Sequence, residues 1–199
     1  MKELTDRELY QALEYARSID EDTGRKMMEQ FEGDQPALVQ TLFGVFPNII
    51  AEHNQEMSYF FMDLCFDVFC VFQKAFGPLP PQHEIDIDWL EKQAVLLDTE
   101  LQALIKGRDM DEKISAKLKD RFVHRMQEDK PQTGLVNFMN DAIDDFASEN
   151  TARVPAIQMT QAMIFVVIRL FDNLYNHPQK KPTWSPVQFE LLMWLWGLA

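Results

Sequence analysis

A short stretch of the sequence carries four carboxylates and one imidazole that could do chemistry. The carboxylates are Glu52, Glu56, Asp63 and Asp67, and the imidazole is His53. At 3.6 residues per turn, one continuous helix would place the four carboxylates within an arc of roughly 60°. An unpaired buried carboxylate is very costly, so each of them must face solvent, pair with a cation or bind a metal ion.

The first part of this stretch has the spacing of a metal site on a helix. Side chains three or four residues apart are neighbours on a helix surface, so Glu52, His53 and Glu56 could converge. Carboxylates suit Mg²⁺ or Mn²⁺, and an added imidazole suits Fe or Zn. The Glu-x-x-His pattern of di-iron bundles is absent, because only the reverse order occurs here. Asp141 and Asp145, on another predicted helix, could complete a site for a divalent-metal-dependent, phosphohydrolase-like enzyme or a di-metal helical protein.

The second part of the stretch cannot share that ion, because Asp63 lies about 10 Å beyond Glu56 along a helix axis. The predicted helix that contains Arg169 is also largely apolar and carries its polar residues on one side. If the two polar sides face each other, Arg169 forms a charge-assisted pair with Asp63 or Asp67. We therefore expect a structural ion pair here, with exposure to solvent as the alternative.

The elements that position these groups are predicted to be helices. The sequence contains only 7 Gly and is 46% hydrophobic, and its abundance of Leu, Met, Gln, Glu and Ala favours helix over sheet. Periodicity and capping signals predict a single all-α, bundle-like domain, 1–199, around a long, mostly buried central helix at about 48–76. The proline-rich linker 77–86 could subdivide it. We expect about nine helices: near 5–18, after 22, from 36, at 48–76, 88–106, 114–126, 135–146 and 155–176, and from 185.

The last predicted helix has almost no polar face. It begins near Ser185 and includes Phe189, Met193, Trp194 and Trp196. Such a helix either docks into the core as a closing element or forms an interface, where Trp and Met are enriched. We expect these four residues to form the interface of a homodimer.

Charge restricts the possible partners. The formal net charge of −13 and the pI of about 4.7 argue against nucleic-acid binding. A basic, amphipathic protein partner would be compatible with both the charge and the apolar surface. One predicted helix carries a basic stripe, which consists of Lys113, Lys117, Arg121 and His124. This stripe is either a solvated face, an internal complement to the acidic regions or a docking surface.

The sequence also predicts the cellular environment. Cys65 and Cys70 are the only cysteines and lie in an apolar helix, which predicts buried, reduced thiols. The N-terminus lacks the apolar core of a signal peptide, and the longest uninterrupted apolar run is shorter than the roughly 18 residues of a membrane span. We expect a cytoplasmic protein that does not enter a membrane.

The expected function is binding rather than catalysis. The 11 Met and 15 Phe supply adaptable apolar surface of the kind that holds another protein's helix. No nucleophile motif, phosphate-binding loop or dinucleotide fingerprint occurs. We expect a protein-interaction or regulatory module with no catalytic residue and no cofactor, and the metal-dependent hydrolase with Mg, Mn or Fe is the alternative.

Overall fold

The computed structural model describes residues 1–105, 132–149 and 154–177, and the regular structure in these ranges is helical. The predicted all-α class is confirmed. Seven of the nine expected helices are described, whereas those expected near 114–126 and from 185 lie outside the described residues. The helices are α1 (Asp6–Ser18), α2 (Glu21–Asp34), α3 (Pro36–Ala51), α4 (Gln55–Phe76), α5 (Ile87–Ile105), α6 (Thr133–Glu149) and α7 (Val154–Asn176).

Side-chain caps define three of the helix starts. Thr5 forms a capping box with Glu8 at the start of α1. Asp20 accepts a hydrogen bond from the backbone N–H of Thr23 at 2.9 Å and begins α2. Asn54 begins α4 in the same way. Each cap satisfies a backbone donor that has no partner within its helix.

The central helix is shorter than predicted, and its expected continuity over 48–76 was wrong. α3 ends at Ala51, and the backbone N–H groups of His53 and Asn54 both donate to the carbonyl oxygen of Ile50 at 2.9 Å. Asn54 then has an extended backbone, with φ −160° and ψ 117°, and its side chain accepts from Met57 N–H. The Asn side chain thus offers the backbone an alternative to continuing the helix.

The helix α3 continues through Pro47. The preceding turn, Thr41–Val45, is π-helical, and the N–H of Phe46 donates to the carbonyl oxygen of Thr41. The wider turn accommodates a proline that cannot donate a backbone hydrogen bond. The hydroxyl of Ser58 donates to the Pro47 carbonyl at 2.8 Å and joins α3 to α4.

α4 and α7 form the centre of the core. α4 packs against α1, α7 and the end of α3, and α6 packs against α7. Most apolar side chains of α4 are buried, as predicted. Aromatic rings connect the layers: Phe31 of α2 stacks on Phe69 at 4.2 Å, and Phe72 lies 5.3 Å from Phe171 of α7. Cys65 is buried and free, as is Cys70, which agrees with the sequence prediction.

α7 also meets a criterion for membrane-spanning helices, although the sequence was expected to contain no membrane span. Within the part of the chain that the structure describes, it is the one helix long and apolar enough to cross a membrane by length and composition. Core helices of soluble proteins meet the same criterion, and much of α7 is buried against the other helices. The location of the protein stays a prediction.

Candidate functional site

The residues of the predicted metal site do not form a cluster. Glu52 and His53 lie in the turn after α3, whereas Glu56 is in the first turn of α4, and all three are exposed. Asp141 and Asp145 are exposed on α6. In residues 1–105, 132–149 and 154–177, no group of three or more His, Cys, Asp or Glu side chains could hold a metal ion. The expected convergence assumed one continuous helix, and Asn54 interrupts it.

The predicted ion pair between Arg169 of α7 and the aspartates of α4 is not among the ion pairs found in the described residues, and it stays a prediction. The ion pairs found among the described residues involve other groups, and none joins Arg169 to Asp63 or Asp67. Arg169 is buried, with its guanidinium carbon 6.0 Å from the centre of the Phe165 ring.

Burial, not ion pairing with α7, dominates the electrostatics of the two α4 aspartates. Burial raises the pKa of Asp67, the positive charge of Arg17 on α1 opposes the rise, and the charge of Asp63 adds to it. Burial alone raises the pKa of Asp63. Asp63 and Asp67 are therefore partly solvated, and Asp67 faces Arg17 of α1, which is consistent with a structural role.

Two further predicted surfaces lie outside the described residues. One is the expected homodimer interface at Phe189, Met193, Trp194 and Trp196, and the other is the basic stripe that includes Lys113. Both stay predictions.

The feature that the tertiary structure adds is an apolar groove between α5 and the body of the fold. It encloses a cavity of about 110 Å³. Two helices of the body, α3 and α7, form one wall, and α5 with the 3-10 turn Gln82–Glu84 forms the other. The apolar lining residues are Ala37, Leu38, Trp89, Leu90, Ala94, Leu97, Leu170 and Leu174.

Polar side chains at the edge of this groove bond to one another or to the backbone. The amide of Gln35 is buried and donates to the carbonyl oxygen of Pro80. Gln82 Oε1 accepts a hydrogen bond from the backbone N–H of Ala37 at 3.1 Å and so caps α3. The N-cap residue of α3, Gln35, forms no side-chain cap itself. These bonds hold the walls in place and leave apolar surface as the main lining.

α5 is held to the body by a few specific contacts. Asn173 Nδ2 donates to Gln93 Oε1 at 3.2 Å, and the ring of Trp89 stacks on His177 with 4.3 Å between centroids. Otherwise α5 packs sparsely on the described helices. Its outer face also carries apolar residues, with Ile87 and Val95 exposed at 64% and 66%. A helix that is apolar on both faces and incompletely covered is typical of an interaction surface.

The approach to the groove is acidic. Within the eight residues from Glu84 to Glu91 there are four acids and no Lys or Arg. Glu84, Asp88 and Glu91 are exposed. Their negative charge would favour a basic ligand, most strongly at low salt.

Sequence reasoning found part of this site and missed the rest. Leu90, Ala94 and Leu97 recur at helical spacing in the sequence, and all three line the groove. The stack of Trp89 on His177 joins residues that are far apart in sequence, and no local signal indicates it. Comparison with protein-family models, curated proteins and solved structures finds no match for this chain.

Proposed function

We propose that the protein is an interaction module that binds an amphipathic helix in the apolar groove between α5 and the body of the fold. The observation that carries this proposal is the groove itself. Its lining is mainly apolar and partly open to solvent, and the Gln35 and Gln82 side chains at its edge already have hydrogen-bond partners. Such a surface gains free energy by covering apolar area and offers few free polar groups for orienting a small polar substrate.

The charge of the chain favours a basic partner. The net charge is −13, and the segment Glu84–Glu91 concentrates acids beside the groove. A helix with apolar residues on one face and Lys or Arg on the other would satisfy both surfaces, which is the helix-in-groove mode of recognition. Complementary charge would accelerate association and select against acidic competitors.

The metal-dependent hydrolase and the homodimer, both expected from the sequence, have less support than the binding module. No observation among the described residues favours the metal-dependent hydrolase. Self-association through Phe189, Met193, Trp194 and Trp196 would be compatible with a binding module and is tested by light scattering.

The test uses a model ligand, an amidated Leu/Lys peptide of about 18 residues with Leu at helical spacing. Fluorescence anisotropy should detect saturable binding to the full chain, with a Kd on the order of 10 μM. Ala94→Glu places a charge and added bulk in the groove, and Val95→Glu places the same charge on the exposed side of the same helix.

Ala94→Glu should weaken peptide binding at least about 10-fold, although its added negative charge attracts a basic peptide. Val95→Glu should bind as the parent does, or slightly more tightly. Equal affinities for the two variants would show that the groove is not the binding surface.

A further inference from the structure

The chain leaves the described structure beside the groove. Leu170 and Leu174 of α7 line the groove, and α7 ends at Asn176. The next residue, His177, stacks on Trp89, which lines the opposite wall. The Nε2 atom of His177 is buried and has no hydrogen-bond partner among the described residues, and the stack on Trp89 is a contact of this ring at the groove. The segment that follows His177 therefore starts next to the groove.

That segment has the chemistry proposed for the partner. Lys180 and Lys181 come first and could face the acids of Glu84–Glu91. A dense apolar sequence, Val187–Trp196, then follows. It contains a single charged residue, Glu190. Both features expected of an external ligand, a basic part and an apolar part, are thus present in the chain itself.

The lengths also match. The seven residues from 178 to 184 can span up to about 24 Å when extended. If residues 185–196 are helical, as the sequence predicts, they measure about 18 Å, and the part of α5 from Trp89 to Leu97 measures about 12 Å. The segment can therefore reach the groove and lie along it.

We propose that the segment Val187–Trp196 docks in the apolar groove of its own chain and competes there with an external helix. This inference rests on the proposed function and adds its regulation. A short tether gives the docked segment an effective concentration in the millimolar range, so intramolecular docking prevails over docking in a second copy at ordinary protein concentrations. Docking within one chain would cover the residues expected to form a homodimer interface, which are Phe189, Met193, Trp194 and Trp196.

A photo-crosslink tests the location. A photoreactive benzoylphenylalanine replaces Leu97, a large residue of the groove lining, in the full chain. Crosslinked peptides are identified by mass spectrometry in the monomer and dimer fractions separately. We expect crosslinks within one chain to residues 185–196. Crosslinks to residues 106–131 alone, crosslinks between chains alone, or none in the tail would overturn the proposal. The same residue analogue at the position of Val95, on the exposed face, is the control and should not label the tail.

Peptide binding tests the competition. The double variant Phe189→Asp and Trp194→Asp should free the groove and bind the Leu/Lys peptide about 10-fold more tightly than the parent, since a docked tail reduces the apparent affinity by the fraction of free groove. The control, Gln179→Asp with Thr183→Asp, adds the same charge before the apolar part and should bind as the parent does. A tail variant that binds no more tightly than this control would overturn the proposal.

The two proposals fail in different ways. If the tail proposal alone is wrong, the parent and the tail variant bind the peptide equally, and Ala94→Glu still weakens binding. If the proposed function is wrong, neither the parent nor the tail variant binds the peptide at the groove, whereas the crosslink from position 97 to residues 185–196 can still form.

Discussion

Phe31 is the side chain on which the attachment of α2 depends. It is the one buried residue of that helix and is only 2% exposed. Its ring stacks on Phe69 at 4.2 Å and lies 6.0 Å from Phe171. Other α2 residues, such as Met28, are half-buried at most. Removing this ring should therefore weaken the docking of the whole helix.

The magnitude follows from the contacts that are lost. Truncating a buried Phe to Ala costs about 3–5 kcal/mol, of which the stacked pair accounts for roughly 0.5–1.5 kcal/mol. We expect Phe31→Ala to lower the free energy of unfolding by about 4 kcal/mol, a large part of the roughly 5–15 kcal/mol typical of domains. Met28→Ala, on the same helix, should cost only about 1 kcal/mol. The helix propensities of Phe and Met are close enough to that of Ala that packing, not propensity, should decide the difference in cost between the two variants.

Two measurements check this prediction. Urea denaturation gives the change in the free energy of unfolding for both variants, and hydrogen exchange with mass spectrometry locates it. In Phe31→Ala the amides of α2 should lose protection, whereas those of α4 and α7 should keep most of theirs because sub-global opening follows local packing. The reasoning is refuted if the two variants cost the same within about 0.5 kcal/mol, or if protection is lost evenly across the helices.

Three further predictions concern titration, thiol reactivity and capping. Because burial raises the pKa of Asp67, the native state binds this proton more tightly than the unfolded chain, and the contribution of this group to stability falls as pH rises above about 4. Asp67→Asn should therefore be more stable than the parent at pH 7 by thermal unfolding, and a stability difference between the two that does not change with pH would contradict this. Burial raises the pKa of Cys70 to about 12 and raises that of Cys65 as well, so a thiol reagent should label both at least about 100-fold more slowly in native protein than in urea. Gln82→Met removes the acceptor for the N–H of Ala37 and should lower the free energy of unfolding by about 1 kcal/mol in urea titrations; an unchanged value would refute the cap.

Local features of the sequence are enough to predict most helices. Thr5 and Glu8 specify the start of α1 through a capping box, and the apolar repeat of α4 requires burial on most sides. These signals act within a few residues, and the structure has them where they were expected. Asn54 is the exception. Its preference for the N-cap position is also a local signal, but the prediction of one continuous helix at 48–76 did not use it.

The candidate site could not be predicted in the same way. Spacing on one assumed helix grouped Glu52, His53 and Glu56, and an error of a few residues in the helix boundary separated them. Likewise, the polar side of α7 suggested a partner for Arg169 on α4, although sequence spacing carries no information on how two helices rotate about their axes. To predict a contact between two helices, one must know how each helix is rotated about its axis as well as which residues share a face.

The sequence by itself determined the all-α class, the burial of α4 and α7, the reduced thiols and the strongly acidic charge, because each depends on composition or on periodicity within one element. Tertiary structure alone decided which faces meet. It turned Asp67 toward Arg17, brought Trp89 against His177 and left an apolar groove beneath α5. The physical reason is that packing of side chains from distant segments sets these relations, and no local preference encodes them.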